Sequence, residues 1–128
     1  MALELVDEAL GVGESASGYY FIVAEAEGVV VGYACFGPTP LTDGVFDLYW
    51  IAVSPHTQGR GVGKLLLAGV DAALRAQNGR MLLIETAGKA EYEATRLFYE
   101  RSGCELVARV PDYYRVGDDK LFYARRPR

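Results

Sequence analysis

The run from Gln58 to Lys64, QGRGVGK, is the first place in this chain where residue types and spacing imply chemistry. Gly59, Gly61 and Gly63 alternate with Arg60 and Val62, and Leu65, Leu66 and Leu67 follow at once. A glycine-rich turn that opens a helix leaves backbone N–H groups unpaired, and these and the helix dipole point at an anion, most often a phosphate. Upstream, Asp47 is the only charged residue in the otherwise apolar VFDLYWIAV. Burial disfavours the charged form of a carboxylate, and a base of useful strength can arise that way.

Two familiar phosphate grips fail on these glycines. A Walker loop needs four residues between its first Gly and its Gly-Lys-Ser/Thr; Gly59 and Gly63 enclose three, and Leu65 stands where a hydroxyl residue would hold magnesium. A dinucleotide fingerprint begun at Gly59 needs glycine at Lys64, and one begun at Gly61 needs it at Leu66.

The elements that must position these residues follow from patterning. Residues 2–10, ALELVDEAL, put Leu3, Val6 and Leu10 on one stripe and predict a short amphipathic helix ended by Gly11 and Gly13. YYFIVAEA and GVVVGYACFG are rich in β-branched and aromatic residues and meet at Glu27-Gly28, which predicts a hairpin. VFDLYWIAV is predicted to be a central strand, with Asp47, Tyr49, Ile51 and Val53 on one face by alternation. A helix is predicted over 61–77, with Asp71 and Arg75 as an outward pair, and Asn78-Gly79 as its stop. RMLLIET reads as a buried strand, 90–102 as a second helix, and CELVARV and KLFYAR as two strands around a loop, PDYYRVGDD. The order is α/β: a mixed sheet with packed helices.

Bulk properties narrow the class. With 128 residues the chain is expected to be a single domain, 1–128, with its own core. A net charge of −4 argues against a nucleic-acid partner. No apolar stretch is long enough for a membrane span and no leader pattern is present, so a cytoplasmic protein is expected. Cys35 and Cys104 stand far apart and His56 is the sole histidine, so neither a metal site nor a disulfide framework is expected.

The pattern Gln-x-x-Gly-x-Gly between a central strand and a helix remains, and with it the chain from Tyr19 onward resembles the GNAT superfamily of N-acetyltransferases. DLYWIAVSPHTQGRGVGKLLL supplies the strand, the Ser-Pro break and the helix, and TRLFYERSGC resembles the family's helix ending Phe-Tyr-x-x-x-Gly. The resemblance implies a mixed, mostly antiparallel sheet and a loop, Gln58, Gly59, Arg60, Gly61, Val62 and Gly63, that wraps the pyrophosphate of acetyl-coenzyme A. Gly61 and Gly63 would leave room for the anion, and Arg60 or Lys64 would add charge. It also implies that backbone groups of Ile51, Ala52 and Val53 bind the pantetheine arm, that Tyr99 serves the departing thiolate and that Asp47 is the candidate base. The implied reaction is acetyl transfer to an amine acceptor by direct attack, with a non-catalytic acyl-coenzyme A sensor as the alternative.

The chain departs from the family in two places. Tyr92 and Thr95 replace an Asn and a small Ala at the second helix, so cofactor contacts from that helix are not carried over. The front end has room for one short helix only, where the family has a strand and two helices. That gap predicts an exposed first strand and a homodimer. It also leaves Asp112, Tyr113, Tyr114, Arg115, Asp118 and Asp119 of the expected loop as candidate acceptor contacts.

Overall fold

The computed structural model describes residues 3–8 and 18–128. Seven strands form one sheet in the order β1-β2-β3-β4-β5-β7-β6. They are β1 (Leu3–Glu8), β2 (Tyr20–Ala26), β3 (Val29–Pro38), β4 (Val45–Val53), β5 (Met81–Ala87), β6 (Glu105–Arg115) and β7 (Asp118–Arg125), with helices α1 (Val62–Ala76) and α2 (Glu93–Arg101). Every pairing is antiparallel except β4 with β5. The expected mixed sheet with packed helices is therefore the fold.

The front end corrects the sequence reading. Leu3–Glu8 is a strand, paired antiparallel with β2 from Leu3↔Ala26 to Glu8↔Phe21. The stretch fits both periods, and a sheet edge with unpaired N–H and C=O groups decides between them. The outer edge of β2 is accordingly covered, and among the described residues β1 and β6 are the edge strands of the sheet.

Both helices lie on one face. Leu66, Leu67, Val70 and Leu74 of α1 are buried against Ile22, Ala24, Ala34 and Phe36 of the first hairpin. Tyr123 of β7 meets the Tyr99 ring of α2 at 5.9 Å and donates a hydrogen bond to Glu100 at 2.8 Å. Asp71 does not point outward with Arg75. It is 2% exposed and receives Nε and Nη2 of Arg125 at 3.0 and 2.8 Å. The apolar stripe of α1 is wider than the sequence reading drew it, because the helix lies across several strands at once, and its inner flank brings Asp71 over the end of β7.

A bulge in β4 reorders the central strand. Cys35 pairs with Trp50 and Phe36 with Leu48, so Tyr49 is an extra residue. Beyond it, Ile51 and Val53 share the helix face with Phe46 and Leu48, and both pack on the core. Simple alternation had put them with Asp47. The opposite face, which carries no helix among the described residues, is called the open face below.

Candidate active site

The parallel pairing of β4 with β5 runs only from Val45↔Met81 to Leu48↔Ile84. Past Leu48, β4 continues to Val53 with β3 on one side and, among the described residues, no strand on the other. The sheet thus splits at its centre, and on the helix face the split floors a cleft of about 600 Å³ between the start of α1 and the flank of α2. Ile51 and Val53 line it from β4, then Gln58, Gly59, Gly61, Val62, Gly63 and Lys64 from the turn and α1, and Tyr99 from α2. Of the residues expected from the sequence, Ala52 and Arg60 are not in the lining, and Asp47 lies on the open face.

The local sequence explains the mouth of the cleft. Gly61 caps α1 at φ 82°, a left-handed conformation that a residue with a Cβ adopts only with strain. No side chain caps this helix start and no acidic residue occupies its first turn. Its N–H groups and dipole are therefore available to an anion, which suits a phosphate. Gly63, which lines the cleft, also serves the packing of the two helices. A Cβ there would lie 2.8 Å from two ring carbons of Phe98, so Gly63 lets α1 and α2 approach. Replacing Gly63 with Ala should cost about 1–3 kcal/mol through overpacking. A thermal midpoint measured for Gly63→Ala, and its recovery in a chain that also carries Phe98→Leu, tests this.

Sequence reasoning missed Thr57, Ala94, Thr95 and Phe98, all of which line the cleft. Thr57 is buried, with its hydroxyl donated to the Ser54 carbonyl at 3.1 Å, a turn that Ser-Pro spacing could have suggested. The α2 residues depended on where that helix docks. Its start is tied to the end of β5 by Arg96, which donates to the carbonyls of Ala87 at 3.0 Å and Lys89 at 2.8 Å.

Tyr99 is 5% exposed, and burial pushes its phenol up to about 12. It stays protonated across the neutral range and can only donate its proton or share it. The conjugate base of a thiol of pKa ~8.5 would be a weaker proton acceptor than the tyrosinate by several units, so such a group placed beside Tyr99 would receive a hydrogen bond and not the proton.

On the open face, Asp47 is half-buried opposite Gly37, with the Tyr49 ring beside it. Burial raises the Asp47 carboxyl above its ordinary range, the nearby Thr39 hydroxyl opposes this, and Glu85 adds to the rise. The segment PDYYRVGDD is no loop; β6 and β7 run through it, with three more residues on β6 than on β7 between Val110↔Lys120 and Arg115↔Asp118. Two of its carboxylates are engaged within the hairpin: Asp112 accepts from Gly117 N–H at 2.7 Å and Asp119 accepts from Asp112 N–H at 3.0 Å, whereas Asp118 is buried with its Oδ1 lacking a hydrogen-bond partner. Tyr113 and Tyr114 remain exposed, their rings 4.9 Å apart.

Comparison with known proteins matches residues 17–104 to the family model described as an acetyltransferase (GNAT) domain. The chain is 29% identical over 110 residues to the N-alpha-acetyltransferase RimI of Mycobacterium tuberculosis, covering 84% of this chain and 65% of that protein. It is 38% identical over 66 residues to an amino-acid acetyltransferase of Ralstonia nicotianae, covering 52% of this chain and 14% of that one. The chain thus spans less than two thirds of either relative. A crystal structure of a Desulfovibrio desulfuricans protein described as a GNAT-family acetyltransferase superposes with a TM-score of 0.87 at 47% identity, over 94% of this chain and 76% of that one. A Bacillus anthracis protein described as a streptothricin acetyltransferase, solved with acetyl coenzyme A, shares the fold with a TM-score of 0.76 at 17% identity, over 85% and 62% of the two chains.

Proposed function

The chain belongs to the GNAT acetyltransferase family, and from that premise we propose that it transfers the acetyl group of acetyl-coenzyme A to an amine by direct attack within a ternary complex. The observation that carries this reading is the split between β4 and β5, roofed on the helix face by the uncapped start of α1 and by Tyr99. Acetyl-coenzyme A supplies an activated thioester. The pyrophosphate suits the N–H groups of the turn from Gln58 to Gly63, with Lys64 adding charge. The extended arm suits the strand-free side of β4 at Ile51, Ala52 and Val53. Two buried unpaired thiols, Cys35 and Cys104, accord with a cytoplasmic setting.

The acceptor then approaches from the open face, where Asp47 stands. Its amine, of pKa ~10 when free, must lose a proton before its nitrogen attacks the carbonyl carbon. A new C–N bond replaces the C–S bond: the first proton of the ammonium goes toward Asp47, the adduct nitrogen gives its second to the departing sulfur, and the thiol leaves beside Tyr99. Asp47 is competent when ionised, so its raised pKa moves the acidic limb of kcat/KM above the ordinary carboxylate value of ~3.9. Glu85 and Thr39 act on the carboxyl and set that limb with it. Asp47→Asn should lower kcat/KM about 10²-fold and remove the limb while coenzyme A still binds. The direct experiment is a thiol-release screen of acetyl-coenzyme A against amines, amino acids, polyamines and peptides. Tight cofactor binding with no thiol released by any of them would favour the sensing module instead.

A further inference from the structure

Among the described residues, the open face around the strand split holds two acids, one of which lacks a cation. Glu85 is the first residue of β5 beyond the last β4 pairing and shares the open face with Asp47, whose register partner is Leu83. Lys120 of β7 reaches Glu85 in an ion pair. Its Nζ also lies 4.3 Å from the centre of the Tyr113 ring and 5.4 Å from that of Phe122. One carboxylate and two aromatic faces are the surroundings a protonated amine seeks, and here the protein's own lysine fills them. No ion pair holds Asp47 among the described residues.

The surface beside Asp47 is aromatic. Tyr19 and Tyr49 meet edge to face at 5.2 Å, Tyr49 and Trp50 lie 6.2 Å apart, and all three rings are exposed. A ring or flat apolar body stacks on such a surface, whereas a long polycation finds only one unbalanced negative charge there.

We infer that Lys120 sets the charge class of the acceptor: by neutralising Glu85 it leaves the open face fit for an amine with a single positive centre and an aromatic or apolar body, and unfit for polyamines. This rests on the transferase reading for the identity of the site. Specificity here comes from a built-in repulsion as much as from attraction. Lys120 acts as a specificity residue through Glu85 and takes no part in the reacting bonds.

The test compares phenethylamine with spermidine, both as acetyl acceptors and as ligands of the coenzyme A-loaded protein by calorimetry. In the wild type, phenethylamine is expected to be preferred about tenfold or more. Lys120→Met keeps the aliphatic stem and removes the charge; it should move the ratio about tenfold toward spermidine, through KM and with little change in kcat. Lys120→Arg should keep the wild-type ratio. Adding Glu85→Gln to Lys120→Met should restore it, since the second acid is then gone. A ratio that stays within about twofold in Lys120→Met, by turnover or by calorimetry, overturns the proposal. Absence of thiol release with every amine would overturn the transferase reading alone, and the calorimetric ratio would still decide the role of Lys120.

Discussion

Tyr99→Phe is expected to lower kcat about 10²-fold while coenzyme A binds within about twofold of the wild type. The expectation follows from where the phenol sits. Its ring is part of the core, in contact with Phe98 at 5.5 Å and Tyr123 at 5.9 Å, and Phe keeps that packing. What is lost is one hydroxyl at the wall of the cleft that the cofactor is proposed to fill. Because burial holds the phenol up to about 12, the wild-type profile should show no alkaline limb near ~10, where an ordinary tyrosine titrates. Steady-state kinetics over pH, with the thermal midpoint as a control for folding, decides the matter. A kcat within a few-fold of the wild type would remove Tyr99 from the mechanism.

Arg125→Met should destabilise the fold by about 3–5 kcal/mol, because it strands a carboxylate in the interior. Asp71 and Arg125 are 2% and 6% exposed and meet through two hydrogen bonds. Arg125 also donates to the Ser102 carbonyl at the end of α2, so one guanidinium joins α1, β7 and α2. Losing it should lower the thermal midpoint by roughly 10 °C or more for a chain of this size. The double variant Asp71→Leu/Arg125→Met should recover most of that loss, since a buried pair replaced by apolar groups of similar volume is close to neutral. A single variant as stable as the wild type would show that Asp71 reaches water when its partner is gone.

The two cases differ in how far they were legible. Tyr99 could be named because TRLFYERSGC resembles the family's helix ending Phe-Tyr-x-x-x-Gly; the helical period alone gave its place on a helix and no role. The glycine turn was legible for another reason: φ near 82° at Gly61 and 83° at Gly59 is a local demand that sequence records locally. The hairpin at Glu27-Gly28 was likewise a local matter, with both residues at positive φ. Asp71 was misread because its partner lies 54 residues away, and no local pattern tells an outward acid from one about to meet an arginine.

Other features depended on pairing between distant strands. The bulge at Tyr49 moved Ile51 and Val53 to the helix face, and a bulge exists only relative to the strand opposite. Leu3–Glu8 became a strand because β2 offered it an edge. The second row of the hairpin, read as a loop, became β6 and β7 because each supplied the other's hydrogen bonds. The sequence by itself determined the glycine turn that opens α1, the place of Tyr99 on a helix and the order of most elements, since these rest on backbone geometry within a few residues. Only the tertiary structure decided which face each β4 side chain serves, that Gly63 makes room for Phe98, that Asp71 is buried with Arg125, and that Lys120 neutralises Glu85 beside the split. Each of these is a contact between residues far apart in the chain, and long-range packing is what a linear pattern does not encode.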